Sequence, residues 1–350
     1  MYRILKKLPT INEVIEKCPV SQDILHSIKI HRDEISDILS GRDDRLLIVL
    51  GPCSAWPYDA VLEYADALCE INQQVKHRLK LVLRTYVQKP RTITGWAGPL
   101  NQPNPLLKPD IEAGIYYSRK LMLEIAKKNL PIADEALFVD NTRFFEDLLS
   151  WMAIGARSSE NQEHRIFASS IDYPVGIKNP TNGSVQIGVN GVIAVNHSHV
   201  ASLNGYEIET FGNKYAHLVL RGGNGVPNYD IASLKYATSL LCTSNILNPA
   251  MIIDVSHDNC LHNGVKNHLQ QGDIIFKILQ SLDENKATDV KKILKGFMIE
   301  SFIQSGNQSI TSNHAHNSID MNGLSITDPC LGLIDTRELL LQLTKYTHRF

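Results

Sequence analysis

From Leu46 onward, short apolar runs alternate with longer segments of helical periodicity, the texture of repeated strand-helix units. The runs Leu46–Leu50, Leu79–Arg84, Ile132–Leu137, Met152–Ala156, Pro174–Lys178, Leu218–Leu220, Met251–Val255 and Phe297–Glu300 read as strands, each followed by a helical or long connecting segment. Eight such units in about 300 residues predict an α/β fold, a (β/α)8 TIM barrel with insertions. Residues 1–45 lack the short runs and place Ile24, Ile28, Ile35 and Leu39 at roughly helical spacing. They are expected to form an N-terminal helical extension with a regulatory or oligomerisation role, leaving 46–350 as the barrel. The polar and β-branched stretch around Tyr206–Thr210, followed by Phe211-Gly212-Asn213, predicts an inserted β-hairpin near 203–215 whose partner is another subunit. Ser305–Asn322, rich in Ser, Asn, His and Gly, reads as a loop after the eighth strand.

A barrel interior is apolar, so ionisable side chains at the C-terminal strand ends face the rim where active sites form. In chain order these ends carry Cys53, Arg84 and Lys89, Glu135, Arg157, Lys178, Arg221, Asp254 and His257, and Glu300. Any one of them is explained by a structural ion pair. A full ring of them points to a site.

Composition narrows the ligand. With 43 % hydrophobic and 21 % charged residues, the chain matches an ordinary folded enzyme. Thirty-five basic against 37 acidic residues give a net charge of −2, which supplies no global attraction to nucleic acid or an anionic membrane. No nucleic-acid or membrane partner is expected, and any anion must be bound locally. The six cysteines form no Cys-x-x-Cys pair, and the N-terminus lacks the apolar stretch of a signal peptide, so a cytoplasmic location with reduced thiols is expected. No run reaches about 18 apolar residues.

Two chemistries emerge. Arg84, Lys89, Arg91, Arg157, Lys178 and Arg221 form a cationic set suited to a small polyanion, with more than one phosphate in view. Cys53, His257, Glu300 and Asp328 mix a thiolate, an imidazole and two carboxylates, a donor set for a divalent transition ion such as Mn2+, Fe2+, Co2+ or Zn2+. Their spacing alone is weak support, because such residues scatter through many proteins.

The strings Gly51-Pro52-Cys53-Ser54, Lys89-Pro90-Arg91-Thr92, Gly155-Ala156-Arg157, Gly176-Ile177-Lys178-Asn179, Leu220-Arg221-Gly222-Gly223, Asp254-Val255-Ser256-His257 and Ser325-Ile326-Thr327-Asp328 closely resemble, in content and order, the class I 3-deoxy-7-phosphoheptulonate synthases. The resemblance runs from about Asp43 to the C-terminus, nearest to the microbial type with an N-terminal extension. It implies condensation of phosphoenolpyruvate with erythrose 4-phosphate at the entry to aromatic biosynthesis, by a homodimer or homotetramer. By the same resemblance Cys53, His257, Glu300 and Asp328 match the metal ligands, and Arg84, Arg157, Lys178 and Arg221 match the residues that hold phosphoenolpyruvate, with Glu135 nearby. Arg91 and Thr92 match contacts to the aldose phosphate, and Lys89 lies near its aldehyde oxygen. Cys53 is then a ligand rather than a nucleophile.

Several positions depart from the family pattern. Ala97 and Leu324 stand where lysines are usual, Phe302 where histidine is usual, and Phe138 where aspartate is usual; Pro180 and Asn182 alter the Gly-Thr-Asp-Gly that commonly follows Lys178-Asn179. Alternatives therefore stay open: a specialised paralogue acting on another phosphorylated aldehyde, or a non-catalytic ligand-binding relative. Asp172 replaces the serine or glycine that helps such enzymes select an aromatic amino-acid inhibitor, and its charge predicts weak or absent inhibition by phenylalanine. His314 and His316 read as solvated loop residues, Gly222–Gly225 as a turn beside Arg221, and Trp56 and Trp96 as rim packing.

Overall fold

The computed structural model describes residues 1–91, 95–203, 206–262, 264–310 and 319–346. Eight parallel strands close into a barrel: β1 (Leu46–Gly51), β2 (Leu79–Arg84), β3 (Ile132–Glu135), β4 (Trp151–Ile154), β5 (Val175–Lys178), β6 (His217–Leu220), β7 (Met251–Asp254) and β8 (Leu294–Glu300), with β8 pairing back onto β1. The (β/α)8 expectation is met. Strands β3 and β4 stop two residues earlier than their apolar runs, because the chain leaves the sheet to form the rim once the last ladder bonds are made, as in Ala136 N–H donating to Ala153 O at 3.0 Å.

The two-residue period of the strands sorts their side chains. In β1 and β2, Leu46, Ile48, Leu50, Leu79, Leu81 and Leu83 pack outward into the cluster shared with the surrounding helices. Leu47, Val49 and Val82 point inward, and Lys80 and Arg84 share the phase of Val82 at the two ends of the interior. Trp151 fills the middle, and Gly176 is required opposite it, since a Cβ there would come within 2.4 Å of the indole.

Two helices precede the barrel. In α1 (Ile11–Lys17), Thr10 and Glu13 form a capping box; α2 (Gln22–Ser40) starts at the Ser21 cap and stops at Gly41, held at φ 76°. Helix α2 closes the N-terminal mouth of the barrel: Ile35, Ile38 and Leu39 join Leu47, Val49 and Met298 in the interior cluster. Lys80, buried in that mouth, is neutralised by Glu34 of α2, which also pairs with Arg45 at 2.9 Å. The hydrogen bond to His31, with Lys80 and Arg45, holds the Glu34 carboxyl well below its ordinary range against the cost of burial.

The hairpin lies earlier than expected. Val200–Leu203 pairs antiparallel with Tyr206–Glu209. Phe211–Tyr215 belongs to a docking turn, because Thr210 closes the ladder against His199 and the Asn213 side-chain amide donates to the carbonyls of Ile171 and Tyr173 at 3.1 and 2.8 Å.

His217, fully buried at the start of β6, has Nδ1 2.9 Å from Tyr215 O and Nε2 3.2 Å from Trp151 Nε1. The carbonyl needs a donor and the indole N–H needs an acceptor, so the neutral Nδ1–H tautomer fits and a second proton does not. Burial pushes the imidazole down to about 4 from 6.5. Between those values the unfolded chain takes up the proton and the folded chain does not, so stability falls as pH drops, by roughly 3 kcal/mol at the limit. His217→Gln should therefore flatten the decline of unfolding free energy between pH 6.5 and 4, measured by urea titration at several pH values.

Candidate active site

The C-terminal strand ends converge on a cavity of about 480 Å³ lined by Cys53, Arg84, Tyr86, Lys89, Arg91, Glu135, Arg157, Lys178, Arg221, His257, Lys266 and Asp328, among others. Arg84, Glu135 and Lys178 are the last residues of their strands, Cys53, Tyr86, Arg157, Arg221 and His257 follow within three residues, and Lys266 and Asp328 come from longer connections after β7 and β8. Thr92, His314 and His316 lie outside the described residues.

The cavity floor is electrostatically crowded. Glu300, fully buried at the end of β8, accepts from Arg84 Nη2 at 3.2 Å, Ser256 Oγ at 2.6 Å and Lys266 Nζ at 2.7 Å. Burial opposes its charge, but Lys266, His257 and Arg84 hold the carboxyl well below its usual range. Asp254 is likewise buried, and His257 and Lys178 keep it ionised, with Lys178 Nζ 3.1 Å away. Arg84 has no exposure; its guanidinium stacks 3.9 Å above the Tyr86 ring, while Nε and Nη1 have no hydrogen-bond partner among the described residues. Lys89 and Lys178 approach the same ring, each 5.7 Å from its centre. Buried donors without acceptors, set among clustered cations, are the signature of an anion's seat.

Lys89 Nζ donates to Cys53 O at 2.6 Å and lies 3.1 Å from Cys53 Sγ. Burial works against its charge, and Cys53 and Glu300 more than offset that, so the ammonium stays protonated at neutral pH. Arg221, at the end of β6, is steered by Asp258 at 3.3 Å and by its own N–H on Asn179 Oδ1 at 2.8 Å. Glu135 lies against Gly155, where a Cβ would sit 2.3 Å from Oε1, so the carboxylate depends on a glycine across β4. Arg91 and Arg157 line the outer part of the cavity and are more exposed.

Cys53 Sγ and carboxylate oxygens of Glu300 and Asp328 lie within 4.8 Å of one another. A soft donor beside two hard ones suits Mn2+, Fe2+, Co2+ or Zn2+ better than Mg2+. His257 falls outside this trio but faces it: Nε2 is 4.0 Å from Glu300 Oε1 and Nδ1 is 2.9 Å from Asp254 Oδ2. Burial lowers the imidazole's pKa despite Asp254, which favours the neutral ring a metal ligand requires. Its backbone is held at φ 53°, a left-handed conformation that costs a non-glycine residue roughly 1–3 kcal/mol. Burial pushes the Cys53 thiol up, and Glu300 adds to the effect.

Sequence reasoning missed Lys266, Tyr86 and Asp258. Tyr86 lies two residues beyond Arg84, so strand alternation extended past β2 would have placed both on one face. Lys266 sits on a two-residue strand, Val265–Lys266, paired with Leu261–His262, too short to show a period. Among the departures, Phe302 has no exposure and packs edge-on against Tyr64, 5.9 Å between ring centres, so it belongs to the helix layer rather than to the site. Ala97 contributes its carbonyl to Lys89 N–H at 3.0 Å, and Phe138 is exposed. Trp56 and Trp96 pack edge to face at the rim.

The profile of the DAHP synthetase I family matches residues 19–340. The chain is 38 % identical over 337 residues to the Trp-sensitive phospho-2-dehydro-3-deoxyheptonate aldolase of Enterobacter agglomerans, covering 95 % of this chain and 92 % of that one. It is 33 % identical over 347 residues to the phospho-2-dehydro-3-deoxyheptonate aldolase of Corynebacterium glutamicum, covering 96 % and 91 %. The solved structure of the Francisella tularensis phospho-2-dehydro-3-deoxyheptonate aldolase superposes with a TM-score of 0.90 at 30 % identity over 99 % of both chains.

If the trio holds a divalent ion, Cys53→Ser should lose more affinity than the roughly 10–100-fold typical of an outer-shell partner. Equilibrium dialysis with Mn2+ and Zn2+, followed by elemental analysis, measures this.

Proposed function

The chain belongs to the DAHP synthetase I family, and from that premise we propose how its own residues divide the labour of the family reaction. That reaction condenses phosphoenolpyruvate, erythrose 4-phosphate and water into 3-deoxy-D-arabino-heptulosonate 7-phosphate and phosphate, the first step of the shikimate pathway, and the protein is a transferase of this class, EC 2.5.1.54. The observation that carries the assignment of roles is the meeting of the cationic set with the Cys53–Glu300–Asp328 trio in one cavity.

Arg84, Lys178 and Arg221, with Arg157 at the outer edge, bind phosphoenolpyruvate. Three of them are already pinned by acidic partners, so little side-chain entropy is lost when the ligand enters. The unpartnered Arg84 nitrogens find acceptors in the ligand. Arg91 and Thr92 take the aldose phosphate. Lys89 then points at the aldehyde end, where its ammonium stabilises negative charge developing on oxygen as C3 of phosphoenolpyruvate bonds to C1 of the aldose, and it delivers a proton there. Water adds at C2 and the phosphate C–O bond breaks. Glu135, beside the phosphoenolpyruvate subsite, is placed to orient that water.

Cys53, Glu300, Asp328 and the facing His257 would hold a divalent ion, which supplies Lewis acidity toward the aldehyde carbonyl when bound. Asp254 orients His257 so that Nε2 faces the trio. Mn2+, Fe2+, Co2+ and Zn2+ all fit the donor set, and the Cys53 sulfur argues against Mg2+.

Residues 1–45 and the hairpin serve assembly into a homodimer or homotetramer. The support is exposed apolar surface: Val200, Tyr206 and Phe211 at and beside the hairpin are 70 %, 73 % and 93 % exposed, and Tyr2, Ile4 and Leu5 are similarly bare. No described helix is long and apolar enough to cross a membrane. The six free cysteines suit a reducing compartment, and we assign the protein to the cytoplasm. At the position expected to govern inhibition, Asp172 is 88 % exposed and pairs with Arg32 of α2 at 3.4 Å. An exposed pair of this kind leaves much of the negative charge in place, which supports weak inhibition by phenylalanine.

Phosphate release by metal-reconstituted protein should require both substrates and favour erythrose 4-phosphate over other phosphorylated aldehydes. Turnover confined to another aldehyde would indicate a specialised paralogue, and ligand-induced thermal stabilisation without turnover a binding protein. Lys89→Met should lower kcat by about 10²–10⁴-fold with a smaller change in KM for phosphoenolpyruvate. Tyr206→Asp combined with Phe211→Asp should shift the sedimentation coefficient toward the monomer.

A further inference from the structure

Lys266 is the feature of the cavity that the family reaction does not explain. Its Nζ lies 2.7 Å from Glu300 Oε2 and 2.8 Å from Asp328 Oδ2, bridging two carboxylates of the candidate ligand trio, with its side chain 16 % exposed. The other cations near the trio engage it differently. Arg84 reaches Glu300 through the opposite oxygen, Oε1, and Lys89 reaches Cys53. Lys266 therefore engages one oxygen of each carboxylate in the trio, and a divalent ion held by Cys53, Glu300 and Asp328 would meet its positive charge at short range. An ammonium and a divalent ion drawn to the same pair of carboxylates repel at short range, so each weakens the other's hold.

We propose that Lys266 is a resident cation of the ligand cluster: its ammonium holds the Glu300 and Asp328 carboxylates together in the metal-free protein, and a divalent ion enters by displacing it. Lys266 is suited to this in two ways. Its four-carbon stem can swing without moving the backbone, unlike the short Cys53 and Asp328. It also lines the same cavity as the anion-binding cations, so the displaced ammonium has solvent and anionic ligand within reach. The consequence is a site that stays assembled without metal and takes metal up less tightly than its donors alone would allow. The inference rests on the assignment of the trio as metal ligands.

The two ideas fail differently. Mn2+ affinity of the wild type, Cys53→Ala and Lys266→Met proteins is measured from free Mn2+ by electron paramagnetic resonance, together with the melting temperature of each metal-free protein. Lys266→Met should tighten Mn2+ binding by roughly ten- to hundredfold, the worth of a lost charge-assisted competitor. It should also lower the metal-free melting temperature by roughly 2–4 °C, because two carboxylates are left facing each other. Lys266→Arg should keep the wild-type affinity. If the Met variant does not fold, Lys266→Gln, which keeps donors without charge, should show the tighter binding instead. Unchanged or weaker Mn2+ binding in the uncharged variants would overturn the role of Lys266 while leaving the trio intact. Mn2+ binding undiminished in Cys53→Ala would overturn the trio and this inference with it.

Discussion

A carboxylate with no access to water, Glu300 at the end of β8, sets the terms for everything around it. Burying such a charge is strongly unfavourable unless donors and cations surround it. Three separate segments answer: Arg84 from β2, Ser256 and His257 after β7, and Lys266 from the short hairpin beyond. Those groups in turn need positioning, and this recruits Tyr86 under Arg84 and Asp254 beside His257 and Lys178. The active site is thus the outcome of neutralising one buried anion with parts drawn from several strand ends, and the surplus of positive charge is what welcomes a phosphorylated ligand.

The opposite mouth of the barrel solves a related problem with different parts. An interior open at its base would admit water to Leu47, Val49 and Met298, and α2 closes it with Ile35, Ile38 and Leu39. Lys80 is left at that mouth as a buried cation, and Glu34 of the same helix neutralises it. The N-terminal segment is therefore part of the barrel's own core. The two ends share β2: Lys80 and Arg84 stand four residues apart on one inward face, and each is held by a carboxylate from a different element.

The barrel itself was legible because its signals are local. Apolar runs of three to six residues, helical spacing in Ile24, Ile28, Ile35 and Leu39, and polar residues just after each run report on neighbouring positions in the chain. Those same strand ends named the cationic set and, with the resemblance of the motif strings, the candidate ligand set and the reaction. The hairpin was found but displaced. The polar and β-branched stretch Tyr206–Glu209 is its second strand, paired with Val200–Leu203, so the reading had one strand right and looked for its partner on the wrong side.

Tertiary structure alone decided which charges face which. Lys266 reads in sequence as an ordinary lysine in a polar connection, and Phe302 as a substitution two residues from a ligand. The closed barrel puts the first between Glu300 and Asp328 and turns the second into the packing against Tyr64. Asp258, Tyr86 and Asp254 acquired partners in the same way. The reason is physical: periodicity records how a residue sits relative to its chain neighbours, whereas an ion pair depends on the shear and closure that bring strands far apart in sequence to one rim. The sequence by itself determined the barrel and the family chemistry, and it named the residues of the cationic and candidate ligand sets. Only the fold determined how those buried charges are paired.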